Sequence, residues 1–544
     1  MTSTLKSALK ERGEQAQGEV APKSSAPSSA PSSAPSSQQR RPNRRAVMVS
    51  AVLTQLMIVL DLTIIAIALP RMQEDLGMTV SQSPWTVTGY SLAFGGLVLF
   101  GGRLCAVVGI RRSYQIGLVG FGVASLAAGM ATSFPVLLVA RVAQGCFGAL
   151  LAPTSQSLLN VTFTERTERE RVFAIFGATG GLGAAVGLLV GGALTDWLSW
   201  RWALYINIFL AAAALLIGQR SLPPADQRDR GSRIYDDLTG LVLGCGACFS
   251  AVYGLDRAQQ TSWTATSTVT WLAFGGVAAV LFVVRERFAS RPVLPLSMMA
   301  MPVRAASYAA QFIAGAAQMG AIIYLTYYMQ NHFGYSPFKS GVVFLPMVAA
   351  LVATAIPAGR VIVPRLGARG TLPLGLAVLT GSFLIFSRMT TDSTYSQVAL
   401  PGLIVFGIGL GLTMPVTFNS GTRGVEAKRT GLASAILSAA QQIGGSFGVA
   451  LMTSYATQHA EDYVADHTEE VRAAAMEAMM RARALPQSPA GKQIIEALKA
   501  QLIDRARIEA YAGGFTMMAW ILAGAAALLV ACGIGLNLRR RRTR

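Results

Sequence analysis

The chain has 544 residues, 52% of them hydrophobic and only 13% charged, with a mean hydropathy of +0.46. Apolar stretches of about 20 residues recur along most of it, which excludes a single soluble core and marks an all-α polytopic membrane protein. A net charge of +19 would suit nucleic acid, but the basic residues alternate with the apolar spans instead of gathering on one face, so no nucleic-acid partner is expected.

In chain order, residues 1–45 are polar, with Ser-Ser-Ala-Pro repeated three times from Ser24 to Pro35, a composition expected to stay disordered. It lacks the plan of a signal peptide, so the first apolar span is expected to direct insertion. Fourteen helices are predicted, beginning near Val47, Trp85, Ser113, Phe134, Val172, Trp202, Leu238, Ala265, Ala306, Gly341, Thr371, Leu400, Gly431 and Gly514, each able to cross a hydrocarbon core of about 30 Å. A charged gap from Gln219 to Asp237 and a basic, Pro-bearing gap (Arg285, Glu286, Arg287, Arg291, Pro292, Pro295) divide them six, two and six. The expected partition is an N-terminal bundle over 46–218, a linker with two helices over 219–305, a C-terminal bundle over 306–537 and a basic tail over 538–544. Within the last bundle, 457–513 is charged and Ala-rich. Its apolar residues recur at helical spacing (Val471, Ala475, Met479; Ile494, Leu498, Leu502), with a break at Pro486 and Pro489: a helical hairpin outside the membrane.

The basic residues orient the chain. Of 46 Lys and Arg, 33 fall in the two tails and the even-numbered gaps, against 5 in the short odd-numbered gaps. The positive-inside rule then places both termini in the cytoplasm and requires an even number of helices. All five cysteines, Cys105, Cys146, Cys245, Cys248 and Cys532, fall in or at the edge of apolar helices, so no disulfide framework follows. The three histidines, His332, His459 and His467, fall in predicted exterior loops, which excludes a His-based metal or nucleophile site inside the membrane and with it most membrane enzymes. No Walker motif suggests ATP use, and no cofactor is expected.

One acid stands apart. Asp61 is the single carboxylate of 27 acidic residues read as lying deep within an uninterrupted apolar span, Ile58 to Pro70. An ionisable group at that depth costs about 2.5–3.5 kcal/mol to insert, so it marks an ion or substrate path by default. Burial favours the neutral form of a carboxyl group and a nearby cation the charged form, which lets such a group carry a proton. Arg141, the one basic residue within an apolar span, is the expected modulator, with Gln144 on nearly the same helix face. The alternatives are local: Asp61 capping neighbouring backbone or hydroxyl groups, and Arg141 satisfied by carbonyls. Helix 5 carries Gly183, Gly187 and Gly191 at four-residue intervals, followed by Gly192, a spacing that lets two helices approach closely.

Together these segments resemble the fourteen-helix drug:proton antiporters of the major facilitator superfamily. The run around Asp61 resembles the first-helix signature, Ser83-Pro84-Trp85-Thr86-Val87-Thr88-Gly89-Tyr90 the start of helix 2, and the segment from Arg141 to Pro153 motif B. The helix 5 glycines, then Ser199-Trp200-Arg201-Trp202 and Asn207, resemble motif C and its exit. Gly334-Tyr335-Ser336-Pro337, Arg429-Thr430-Gly431-Leu432-Ala433-Ser434-Ala435 and Gln441-Gln442-Ile443-Gly444-Gly445 continue the match. Motif A reads Gly102 to Arg112, keeping Gly102, Gly109, Arg111 and Arg112 but placing Ala106 where the family has Asp; Leu188 stands where many antiporters have Pro.

The resemblance implies two pseudo-symmetric six-helix bundles rocking about a central cavity, and proton-driven export of small amphipathic drugs or antibiotics from a bacterial plasma membrane. Asp61 and Arg141 would serve proton coupling, and the motif glycines and the Arg pair the conformational change. An actinobacterial source suits the excess of Arg over Lys, 39 to 7. Candidates for substrate contact are Tyr90, Gln156, Gln311, Gln318, Tyr324, Tyr327, Asn419 and Gln441, aromatic and amide groups suited to planar polyfunctional ligands. Uptake or uniport of a metabolite is the alternative on the same fold.

Overall fold

The computed structural model describes residues 43–542 apart from 80–81, 83–84, 220, 223–237, 290–291, 293, 295–297, 300, 427–428 and 483–487. The Ser-Ser-Ala-Pro tail, Ser83-Pro84, most of the gap after helix 6, Arg291, Pro295, Pro486 and Arg544 lie outside the described residues. Among the described residues the regular structure is entirely helical, as the apolar spans require, since a lipid-facing backbone must satisfy its own hydrogen bonds.

The first six helices are α1 (Arg44–Asp75), α2 (Trp85–Val108), α3 (Ile110–Gly129), α4 (Phe134–Thr162), α5 (Arg166–Trp197) and α6 (Trp200–Gly218). A pair follows, α7 (Leu238–Gln260) and α8 (Thr266–Phe288). The remainder are α9 (Pro302–Tyr327), α10 (Pro337–Val343), α11 (Leu345–Pro357), α12 (Val363–Phe386), α13 (Leu400–Thr422), α14 (Thr430–Ala482) and α15 (Pro489–Arg542). The predicted tenth helix is therefore two pieces. Short π turns extend α9 over Tyr328–His332, follow α11 over Ala358–Ile362 and open α13 over Tyr395–Ala399. α5 runs unbroken through Leu188, so the residue standing in place of Pro leaves the helix continuous.

Among the described residues, eleven segments are long and apolar enough to cross a membrane by length and composition. One of them, Phe338–Phe386, has 49 residues, about 74 Å if straight and more than twice a hydrocarbon core. It contains Gly367, whose φ of 65° and ψ of 173° put a kink inside α12. The faces turned outward are apolar: on α8, Val269, Phe274, Val277, Val280, Leu281, Val283, Val284 and Phe288 are all exposed. Such a surface suits lipid and would be a liability in water.

The two sets of six helices repeat one packing scheme. In the first set α1 lies against α5, α2 and α3 against α4, and α3 against α6. In the second, α9 lies against α14, α11 and α12 against α13, and α12 against α15. The contacts between sets also exchange, with α2 packed on α14 and α5 on α10 and α11. α7 packs on both α2 and α14. Cys245 and Cys248 face that seam among Val98, Leu99, Ala435 and Ala439, and all five cysteines are unpaired. Their CxxC spacing reflects packing.

The insertion 457–513 is the continuation of α14 and α15, which have 53 and 54 residues and run on past the bundle. Ala475, Met479, Leu502 and Ala506 are buried along it. Its base is tied to α9 by His332, whose Nδ1 lies 3.0 Å from Asp504 Oδ2. His459 and His467 lie on α14, each stacked on the tyrosine one turn before it, Tyr455 and Tyr463. These two histidines are thus helical, within the segment expected to form a helical insertion, and α14 does not stop at the end of its apolar span.

Candidate functional site

Asp61 sits midway along α1 with no solvent exposure, and side chains from α4 and α6 converge on it. Arg141 Nη1 donates to Asp61 Oδ2 at 2.6 Å, Asn207 Nδ2 donates to Oδ1 at 2.6 Å, and Gln144 Nε2 donates to Oδ1 at 3.2 Å. Arg141 and Gln144 share one face of α4 three residues apart, and Arg141 Nη1 also donates to Gln144 Oε1 at 2.9 Å. Gln144 Nε2 reaches Ser125 Oγ on α3 at 2.7 Å. Arg141 Nε donates to the Thr86 carbonyl at 3.0 Å, and its guanidinium carbon lies 4.6 Å from the centre of the Tyr90 ring. Arg141, Gln144 and Asn207 are as fully buried as Asp61.

Glycine makes this geometry possible. Gly145 on α4 lies against the Tyr90 carbonyl so closely that any side chain would collide with it, and this approach brings Arg141 within reach of α2. On the other flank of α1, Gly187 faces Thr63: a Cβ there would run into Thr63 Oγ1. Gly183 lies against Val59 and Gly191 against Ile64, so the three-glycine stripe of α5 seats α1. Gly192 is buried in the same turn. The opposite face of α5 meets the second bundle, with Leu189 against Gly341.

The motif A residues lie at the end of α2. Gly102 and Cys105 pack directly on Gly431 and Ala435 of α14. Gly109 starts α3 with φ of 95°, a backbone conformation that favours glycine. Arg111 Nη2 donates to the Gln219 carbonyl at 3.3 Å, joining α3 to the end of α6, and Arg112 is exposed. Small residues in contact thus close this α2–α14 seam beside Ala106.

Two of the substrate candidates bond across the interface between the bundles: Gln156 Nε2 donates to Ser438 Oγ at 3.1 Å, and Asn419 Oδ1 accepts from Arg169 Nε at 3.0 Å. Thr422 Oγ1 donates to Asn160 Oδ1 at 3.1 Å beside them. Gln311 is buried within the second bundle, accepting from Thr417 Oγ1, and Gln318 is buried on the same helix. Gln441 is half-buried, with its backbone against Gly315. Tyr324 points away from the interface, donating to Thr453 Oγ1 at 2.9 Å and meeting Tyr511 of α15 edge-on; Tyr327 beside it is 47% exposed. Tyr90 belongs to the Asp61 cluster through Arg141. The structure does not bring the eight into one site.

The sequence reading missed several features. Asn207 appeared only as part of a motif, and Ser125 and the Thr86 carbonyl not at all, because a single polar residue in an apolar helix carries no signal of what it faces. Asp256 lies within α7, where Thr88 Oγ1 donates to its Oδ1 at 3.0 Å, so Asp61 is not alone among acids in apolar helices. At the end of α1, Asp75 accepts from Arg201 Nη1 at 2.5 Å and Trp200 Nε1 at 3.0 Å. These bonds hold its carboxyl below the usual carboxylate range.

A buried, charge-compensated carboxylate inside paired six-helix bundles is the build of a membrane transporter. The chain belongs to the Major Facilitator Superfamily, whose model matches residues 51–449. It is 39% identical over 429 residues to the puromycin resistance protein pur8 of Streptomyces alboniger, covering 78% of this chain and 84% of that one. It is 33% identical over 406 residues to the cephamycin export protein CmcT of Amycolatopsis lactamdurans, covering 74% and 83%. It is 30% identical over 493 residues to the tetracenomycin C resistance and export protein of Streptomyces glaucescens, covering 89% and 90%. The human organic anion transporter MFSD10 shares the fold, with a TM-score of 0.57 at 14% identity over 89% of this chain and all of that one. PepTSo2 shares it with a TM-score of 0.53 at 12% identity, covering 92% and 99%. The all-helical major facilitator fold implied by the resemblance is the fold observed, with eleven candidate spans among the described residues where fourteen were expected.

Proposed function

We propose that this protein exports antibiotics or other amphipathic compounds across a bacterial plasma membrane, each exported molecule exchanging for protons that enter through Asp61. The observation that carries the reading is the Asp61 cluster: a carboxylate with no solvent exposure, compensated by one guanidinium and two amide donors within an apolar bundle. A group so placed is costly unless used, and the relatives named for resistance and export supply the substrate class. The protein acts without a cofactor and is not an enzyme; the proton gradient is the energy source.

In this reading the chain crosses the membrane fourteen times with both termini in the cytoplasm. The bundles are 46–218 and 306–537, with 219–305 as linker and added helix pair. The end carrying Gly102, Asn160 and Arg169 then faces the cytoplasm, and its bonds across the interface form the inner gate, closed here. Opening it frees Gln156 and Asn419 to meet substrate, while α5 swings with α1 as one body on its glycine stripe. Arg141 acts on the Asp61 proton and leaves drug binding to the interface.

The test uses everted vesicles carrying a trapped pH indicator, with puromycin as probe. Adding puromycin to energised vesicles should release protons from the lumen. The double variant Asp61→Asn, Arg141→Met, which leaves no lone buried charge, should insert normally and release none. Proton release by that variant equal to the wild type refutes the coupling role. Counterflow in the inward direction only would favour metabolite uptake.

A further inference from the structure

We propose that Asn207 is a positioning residue that follows Asp61 through its proton cycle by turning its side-chain amide over, an inference that rests on the coupling role of Asp61 proposed above. A carboxylate accepts only, whereas a protonated carboxyl group has one O–H that must donate. Whatever surrounds Asp61 therefore needs a donor in one state and an acceptor in the other.

The neighbours differ sharply in their capacity to change. Arg141, reaching Oδ2, has donors only. Gln144, reaching Oδ1, has its Oε1 engaged by Arg141 Nη1 and its Nε2 shared with Ser125 Oγ, so turning it over breaks both bonds. Tyr90, whose ring lies against the guanidinium, carries a hydroxyl that makes no hydrogen bond among the described residues, and no further charged side chain is bonded to the carboxylate among them. Asn207 donates its Nδ2 to Oδ1 at 2.6 Å while its own Oδ1, buried, has no hydrogen-bond partner among the described residues. Rotating its amide by half a turn costs no other bond and places an acceptor where the donor was. The 2.6 Å separation is also normal for an O–H···O bond.

The cycle balances simply. With Asp61 ionised, Asn207 Nδ2 donates to Oδ1. A proton arriving on Oδ1 forms the O–H bond, the amide turns, and that O–H donates to Asn207 Oδ1; loss of the proton reverses both. No other covalent bond changes. Asn207 thus keeps Oδ1 bonded in both states and leaves Oδ2 to Arg141, so the same oxygen is protonated in each turn.

The probe is the proton itself, read by infrared difference spectroscopy of the full-length protein in bilayers stepped from alkaline to acid pH. Wild type should show a carboxylic-acid C=O band that Asp61→Asn removes. In Asn207→Leu, of similar volume and without polar atoms, that band should move to the higher frequency of an acid that donates to nothing. In Asn207→Ser, whose hydroxyl can donate and accept, it should return towards wild type. In wild type with isotopically labelled asparagine, one side-chain amide C=O band should shift on acidification and stay still in Asp61→Asn, a measurement that needs no substitution at 207. Drug-free proton exchange in Asn207→Leu should slow by about tenfold, the scale of one hydrogen bond to a charged partner. An Asp61 band unmoved in Asn207→Leu, or a still amide band in labelled wild type, overturns the role of Asn207 and leaves the coupling reading standing. No band that Asp61→Asn removes would overturn both.

Discussion

Breaking the Asp61–Arg141 pair from either side should cost more than removing both partners together. Asp61→Asn keeps the shape of the side chain but strips the charge facing a guanidinium that has no solvent exposure. An uncompensated buried charge costs about 3–5 kcal/mol. Arg141→Met fills similar space but leaves the Asp61 carboxylate buried without its cation, again about 3–5 kcal/mol, and takes one donor each from two acceptors, the Thr86 carbonyl and Gln144 Oε1. The double variant leaves those same two acceptors and no charge at all, so it should be no less stable than Arg141→Met alone. The coupling energy of the cycle is then about 3 kcal/mol or more. The assay is denaturant titration in detergent, followed by a thiol-reactive dye, since Cys105 and Cys248 are buried and become reactive only on unfolding. If the double variant loses the sum of the two single losses, the coupling energy is zero, and the two side chains do not compensate one another.

Gly187→Ala should destabilise by about 1–3 kcal/mol through overpacking against Thr63, and Thr63→Ala in the same chain should recover most of it, both read by the same titration. Asp75 has its carboxyl held below the usual range, so its contribution is full above the ordinary carboxylate titration and fades as pH falls through its lowered value. Melting temperature against pH should therefore drop less steeply in acid for Asp75→Asn, and the effect is small because Asp75 is half-exposed. Alkaline phosphatase inserted at Gln487 should be active and at Arg544 inactive; the reverse pattern would invert the proposed orientation.

Hydropathy alone determined that the chain is a membrane bundle, because the bilayer acts on each span separately and a run of about 20 apolar residues is a local property. For the same reason Asp61 and Arg141 stood out: a charge in such a run is anomalous whatever surrounds it. The hairpin was legible in outline, since Ala475, Met479 and Leu502 recur at helical spacing, but its continuity with α14 and α15 was not, because nothing in a helical pattern says where a helix leaves the membrane. Tertiary structure decided the rest. The glycines of α5 could have faced any helix, and packing set them on Val59, Thr63 and Ile64 of α1 while turning Leu189 to the other bundle. Tyr324 and Gln156 looked equally suited to a ligand, yet one faces α14 and α15 and the other crosses the interface. Asn207 is 146 positions from Asp61, and only folding brings the two together. A hydrogen bond depends on distance and direction in space, and an apolar helix leaves both open until its neighbours are in place.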